Sequence, residues 1–168
     1  MGCVRDLPEA SGKTGAPSPT RQKRERPRDR LGRPLDWGAT NELELEDYDS
    51  FSIERNHELA REHVRAGRYF PAHEAWETAW KQARHTDDAE FFKGLSQLGA
   101  GYVHLLRGNA HGAMVLMRRA SRRVRRYPDG HRGVATQALH HKLEADAAAV
   151  ERGDLVPGED VAFDPPIV

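Results

Sequence analysis

From Phe51 onward the apolar residues recur every three or four positions, and no run alternates with period two over a useful length. That pattern suits helices and gives no strand one apolar face to bury, so the chain reads as all-α. Ser52 is placed to cap a first helix carrying Ile53, Ala60 and Val64 on one stripe, and Gly67 to end it. Pro71 falls in the first turn of a second helix, where proline is tolerated. Asp87 and Glu90 have the D-x-x-E spacing of a capping box and open a third helix that runs to Gly108. Asn109 caps a fourth, in which Ala113, Leu116, Met117, Ala120, Val124 and Tyr127 align before the turn at Pro128-Asp129-Gly130. A fifth, from about Gly133 to Gly153, carries Leu139, Leu143 and Val150 on one line. Connections this short make successive helices antiparallel. The expected architecture is a compact bundle of about five helices, built from two antiparallel hairpins plus a C-terminal helix. Both hairpin turns read G-x-x-x-x-A, at Gly67–Ala72 and Gly108–Ala113.

A chain of 168 residues supports one domain with a modest core. Residues 1–50 are rich in Pro, Gly, Ser and Arg and poor in large apolar groups, as expected of a disordered or loosely docked arm. Residues 51–153 are the expected helical domain, and 154–168 an acidic, proline-containing tail. Lys and Arg outnumber Asp and Glu by 17 to 12 over residues 51–152, whereas residues 153–168 hold four acids and no Lys or Arg. One cysteine, Cys3, excludes an intrachain disulfide, and no apolar run reaches the roughly 20 residues of a membrane span. The opening Met1-Gly2-Cys3 lacks the Ser or Thr at position 6 that a myristoylation signal wants, because Asp6 stands there. A cytoplasmic protein without a membrane role is expected.

Residues 70–80 concentrate two of the three tryptophans, a histidine and two carboxylates. At about 100° per residue a helix from Pro71 places His73, Trp76, Glu77 and Trp80 on one face. In the third helix Gly94, Gln97, Gly101 and His104 form a stripe distinct from the apolar one of Leu95, Leu98, Tyr102, Leu105 and Leu106. Small residues alternating with Gln and His imply a closely packed neighbour there. With the second helix as that neighbour, His73 and Glu77 face Gln97 and His104, and Trp76 and Trp80 wall the space.

Three readings follow. A divalent metal would take His73, Glu77 and His104 as ligands, leaving a position for water. The segment reads His-Glu-x-x-Glu, so the zinc-peptidase mechanism does not transfer. A di-iron bundle needs two Glu-x-x-His segments, and Glu54 to His57 is the single one found. A metal-free acid–base site would use Glu74 or Glu77 beside an imidazole. In the third reading His73, Glu77, Gln97 and His104 satisfy one another as a buried network that fixes helix register.

The fourth helix crowds Arg118, Arg119, Arg122, Arg123, Arg125 and Arg126 into nine residues. Of these, Arg118, Arg122 and Arg125 are the phosphate-binding candidates. No aromatic residues are interleaved for base stacking, and the tail acids Glu159, Asp160 and Asp164 are candidates to cover the patch, so nucleic acid is not the favoured partner. His131, His140 and His141 read as surface groups.

The F-x-x-H-E-x-W-E-x-x-W stretch, then Phe92 to Leu98, then His104, then Gly108-Asn109 with Gly112-Ala113, together resemble the bacterial and archaeal domain of unknown function family numbered 309. The likeness spans roughly residues 52–126, and residues 26–35 resemble the leader of actinobacterial members. The resemblance implies a compact all-α fold of small helical hairpins in a cytoplasmic protein, and implies no activity. Its signature falls here on His73, Glu74, Trp76, Glu77, Trp80, Gln97, His104, Gly108 and Asn109. The leading functional expectation is a non-catalytic interaction or small-ligand-binding module, with a protein partner or a second copy of the chain as candidate partners. Its His/Glu/Trp cluster is chiefly architectural and lines a small pocket. The alternative is a metal-dependent hydrolase using His73, Glu77 and His104.

Overall fold

In the computed structural model, which describes residues 26–168, each expected helix forms: α1 (Ile53–Arg65), α2 (Tyr69–Ala83), α3 (Ala89–Leu106), α4 (Ala110–Val124) and α5 (Thr136–Arg152). The readings of residues 1–25, Cys3 included, lie outside the described residues. Each helix packs on its neighbours in sequence, α1 on α2, α2 on α3, α3 on α4 and α4 on α5, so the fold is an all-α bundle with α3 at its centre. Among the described residues no helix is long and apolar enough to cross a membrane.

Local chemistry sets most helix ends as the sequence implies. Ser52 Oγ accepts from the Arg55 N–H at 3.2 Å, and Asn109 Oδ1 accepts from the Gly112 N–H at 2.9 Å. The repeated turns are the same device twice. Gly67 and Gly108 have φ of 71° and 79°, and the N–H of the following residue returns to a helix carbonyl, Arg68 to His63 at 2.8 Å and Asn109 to His104 at 2.9 Å. Only glycine takes that backbone without a Cβ clash, which explains the G-x-x-x-x-A echo.

Two boundaries differ from expectation. The Asp87/Glu90 capping box is not made: α3 starts at Ala89, and the side chain of its N-cap residue, Asp88, makes no cap bond. The Asp88 carboxylate binds His131 Nε2 at 2.7 Å and the Arg132 guanidinium, while Glu90 pairs with Arg123 at 3.2 Å. The Asp88 carboxylate is thus held by partners distant in sequence and does not turn back to cap α3. Helix α5 begins at Thr136, because Gly130, Arg132 and Gly133 all have positive φ and hold the chain in a turn.

The core gathers Trp76, Phe91, Phe92, Leu95, Leu98 and Tyr102, all fully buried. Trp76 Nε1–H donates to His57 Nδ1 at 3.0 Å, which leaves His57 Nε2–H to donate to the Arg132 carbonyl at 3.0 Å. This imidazole is neutral and saturated. Burial, with Arg61 and Arg132 nearby, holds His57 below its ordinary 6.5, and burial does the same to His63, aided by Arg68. The unfolded chain therefore binds more protons than the folded one once the pH drops below about 6.5. Stability is expected to be flat from pH 8 to 7 and to fall between pH 6.5 and 5, read as the urea midpoint. His57→Gln should make that fall shallower.

The described part of the arm is tied to the helices. Asp29 Oδ1 accepts from the backbone N–H of Leu31 and Arg33, at 2.9 and 2.8 Å, and closes a turn that buries Leu31. Arg107 donates to the Leu31 carbonyl, and Gly32 lies beneath the ring of Phe70. The tail reaches the same end of the bundle: the Gly158 N–H donates to the Leu105 carbonyl at 3.0 Å, Phe163 stacks on Tyr102, and Glu159 pairs with Arg30 and Arg33.

Candidate functional site

Helix α3 is buried from Phe91 to Leu105 except at Lys93, Gln97, Ala100 and His104, which continue from Glu90 at spacings of three, four, three and four. The central helix thus shows solvent one narrow stripe. Helix α2 runs along one side of α3 and α4 along the other. Their approach is set by glycines on opposite sides of α3. A Cβ at Gly99 would lie 2.9 Å from the backbone N and Cα of His73, on α2. At Gly94 it would lie 2.9 Å from Arg123 Cβ, and at Gly101 3.2 Å from Met117 Cγ, both on α4. The expected assignment of the Gly94/Gly101 notch to α2 is therefore corrected. Positions 94 and 101, seven apart, share one side, and Gly99 sits about 140° round from Gly94.

The α2 face divides between core and surface. His73, Glu74, Glu77 and Trp80 are partly exposed, while Trp76 is turned fully into the core. It lies 60° round the helix from His73, on the side of Ala72 and Ala79, and so cannot wall a pocket shared with His73. Trp80 stays at the edge, with Lys93 Nζ 4.8 Å from its ring centroid.

His73 does not bond Gln97. Its Nδ1 lies 3.0 Å from the backbone carbonyl of Ser96 and 3.0 Å from Ser96 Oγ. A carbonyl only accepts, so Nδ1 carries the proton, and in the neutral ring Nε2 is a bare lone pair. That lone pair faces Glu74 Oε1 at 3.9 Å and Glu77 Oε2 at 4.0 Å. The other Glu77 oxygen lies 3.5 Å from Lys81 Nζ.

His104 is held from the far side of the stripe. Asn109 Nδ2 donates to its Nδ1 at 2.8 Å, and a Cβ at Gly112 would lie 2.7 Å from that atom. Burial, then the charge of Arg107, push it below its ordinary value, which favours the neutral ring at pH 7. Gln97 Oε1 is buried and has no hydrogen-bond partner among the described residues.

Within the described residues one group of His, Asp, Glu or Cys side chains is close enough to share an ion: His73, Glu74 and Glu77, whose ligand atoms all lie within 4.8 Å of one another. His104 is not in it. Sequence reasoning placed Glu74 as an acid–base candidate and a signature position, and gave neither Ser96 nor Gly99 a part in holding His73. Their signal was present: two small residues three apart on one side of α3, the mark of a close helix contact. His57, whose Nδ1 accepts a hydrogen bond from the Trp76 indole N–H, was considered only as part of a di-iron Glu-x-x-His segment.

On α4, Arg118 pairs with Glu151 Oε2 at 2.5 Å and Arg123 with Glu90. Arg122 and Arg125 are exposed and form no ion pair among the described residues. The tail acid Glu159 is engaged by Arg30 and Arg33, not by this helix.

No curated protein and no solved structure matches the chain. Residues 58–116, which hold α2, α3 and the first part of α4, match the family model described as Domain of unknown function (DUF309), the family that the His/Glu/Trp motif and the later elements resemble.

Proposed function

We propose that the chain is a non-catalytic binding module whose recognition surface is the α3 stripe of Lys93, Gln97, Ala100 and His104 together with the α2 edge of His73, Glu77 and Trp80. The observation that carries this reading is the buried, unpartnered Gln97 Oε1 on that stripe. An amide oxygen shut from water without a partner destabilises the fold by about 1–3 kcal/mol. Residues kept where they weaken the fold are commonly kept for binding. Gln97 as a residue is partly exposed, so its side chain can turn outward along the stripe and accept from a small polar ligand or a partner segment with an N–H or O–H to offer. His104, neutral and fixed by Asn109, presents its Nε2–H as a donor in return.

Gln97→Leu and His104→Ala separate this reading from a register-locking network. As a binding surface, Gln97→Leu should match or exceed the parent in urea denaturation, and His104→Ala should cost less than about 0.5 kcal/mol. If the residues lock helix register instead, each substitution loses about 1–3 kcal/mol. That result would end the proposal.

A further inference from the structure

We infer that the outward face of α4 and of the turn that closes it, carrying Arg119, Arg122, Arg125 and Arg126, is a binding surface for the phosphate backbone of a nucleic-acid duplex. This face lies on the other flank of α3 from His73, and the inference does not rest on the reading of the α3 stripe.

From Asn109 to Pro128 the chain holds six arginines and no acid. The fold sorts them. Arg118 reaches α5, where it pairs with Glu151 Oε2 at 2.5 Å, and Arg123 packs against Gly94 of α3 and pairs with Glu90 at 3.2 Å. The other four are exposed, and none has an ion pair among the described residues. They follow one another at spacings of three and four, Arg119 to Arg122, then Arg122 to Arg125 and Arg126, and so form a row about 10 Å long. Like charges at those spacings repel and weaken a helix. The next acid along the chain does not relieve them, since Asp129 accepts from the Gln137 N–H at 3.3 Å. A row of negative charge from outside the fold does.

The acidic tail leaves the row open. Glu159 is engaged by Arg30 and Arg33, the Gly158 N–H donates to the Leu105 carbonyl, and Phe163 stacks on Tyr102. That end of α3 is two to three helical turns from Gly94, where Arg123 packs.

The face suits phosphates better than it suits other carriers of negative charge. Guanidinium forks match phosphate oxygens two at a time. The apolar stripe of α4, Ala113, Met117, Ala120 and Val124, is fully buried, so none of it is left to enter a lipid surface or to form the apolar centre of a protein interface. Nor does the face offer a platform for unpaired bases. Tyr127, the nearest aromatic, donates its hydroxyl to the Asp87 carbonyl at 2.6 Å and packs its ring on Phe91 and His131. Single strands are gripped by stacking on aromatic rings, whereas a duplex turns its phosphates outward and is held by charge. Phosphate contacts carry no sequence information, so the binding is indifferent to sequence.

The test uses the full chain and a fluorescein-labelled DNA duplex of about 20 base pairs and mixed sequence, titrated by fluorescence anisotropy between 50 and 200 mM KCl, with the RNA duplex of the same sequence alongside. Three or four phosphate contacts give log affinity a slope of about −3 to −4 on log salt, so binding should weaken about 100-fold over that range. Either duplex, or both, bound with this slope supports the inference. Arg119→Gln/Arg122→Gln/Arg126→Gln should weaken binding at the lower salt tenfold or more and bring the slope to about −1. Its melting curve should match the parent's, because the three side chains are exposed. Arg21→Gln/Lys23→Gln/Arg24→Gln removes the same charge from the arm and should bind within about threefold of the parent. The inference is overturned if neither duplex binds at 50 mM KCl, or if the arm variant loses as much affinity as the α4 variant or more. It is equally overturned if polyglutamate or phosphatidylserine vesicles bind the chain more tightly than the duplexes do, which would make an acidic protein or an anionic membrane the partner. None of these outcomes bears on the Gln97 and His104 stability measurements, so the two readings fail separately.

Discussion

Trp76→Ala is expected to be the most damaging single substitution in the helical domain, costing about 3–5 kcal/mol in urea denaturation. The ring is fully buried among the residues that join α1, α2 and α3. Truncation removes the largest apolar side chain of the core and leaves a cavity beside the His57 ring, on which Phe91 and Phe92 also pack. A second effect adds to it: His57 Nδ1 loses the indole N–H that it accepts, and no other donor is bonded to it. Trp76→Phe isolates that part, keeping most of the apolar volume while orphaning the nitrogen, and should cost about 1–3 kcal/mol. The account of the core fails if Trp76→Ala is as stable as Trp76→Phe, or if either lies within about 0.5 kcal/mol of the parent.

Gly99→Ala should also destabilise, although alanine is the better helix former by about 1 kcal/mol. The added Cβ would stand 2.9 Å from the backbone N and Cα of His73. Backbone atoms cannot step aside as the end of a side chain can, so α2 must move off α3, an overpacking strain of about 1–3 kcal/mol. The net expectation is a lower melting temperature together with a loosened His73–Ser96 hydrogen bond. Gly67→Ala and Gly108→Ala, which meet no neighbour within 4 Å, should be destabilised through their positive φ alone and leave the His73 ring signals unchanged. A Gly99→Ala chain more stable than the parent would show that the contact is not tight.

The helices were legible in the sequence because their signals are local. Ser52 and Asn109 cap where expected, and the paired glycines end α1 and α3 by the same backbone turn. The capping box failed because α3 starts one residue later than the Asp87/Glu90 spacing requires, and the residue left at its N-cap, Asp88, gives its carboxylate to His131 and Arg132, more than 40 residues away. The site was legible in membership and not in pairing. A helical wheel shows that His73, Glu77 and Trp80 share a face, and Trp76 lies near enough to seem part of it. Only the position of the core shows that the boundary between buried and exposed falls between Trp76 and His73. Likewise the glycines of α3 announce close neighbours, but which helix meets which glycine depends on an angular offset that the stripe pattern does not display. That error assigned His73 to Gln97 in place of Ser96. The arm was read from composition, and composition does not reveal that Asp29, by folding a turn, brings Leu31 under the helices.

The central claim is that His73 and Gln97 stand side by side on a binding face without forming an interlocking network. A double-mutant cycle measures this directly, with His73→Ala, Gln97→Ala and the pair compared by urea denaturation. Independent residues should couple by less than about 0.5 kcal/mol, whereas members of one hydrogen-bonded network couple by about 0.5–3 kcal/mol. A coupling near zero is the predicted result. A coupling above about 1 kcal/mol would mean that the two side chains hold the helices in register, and would contradict the account.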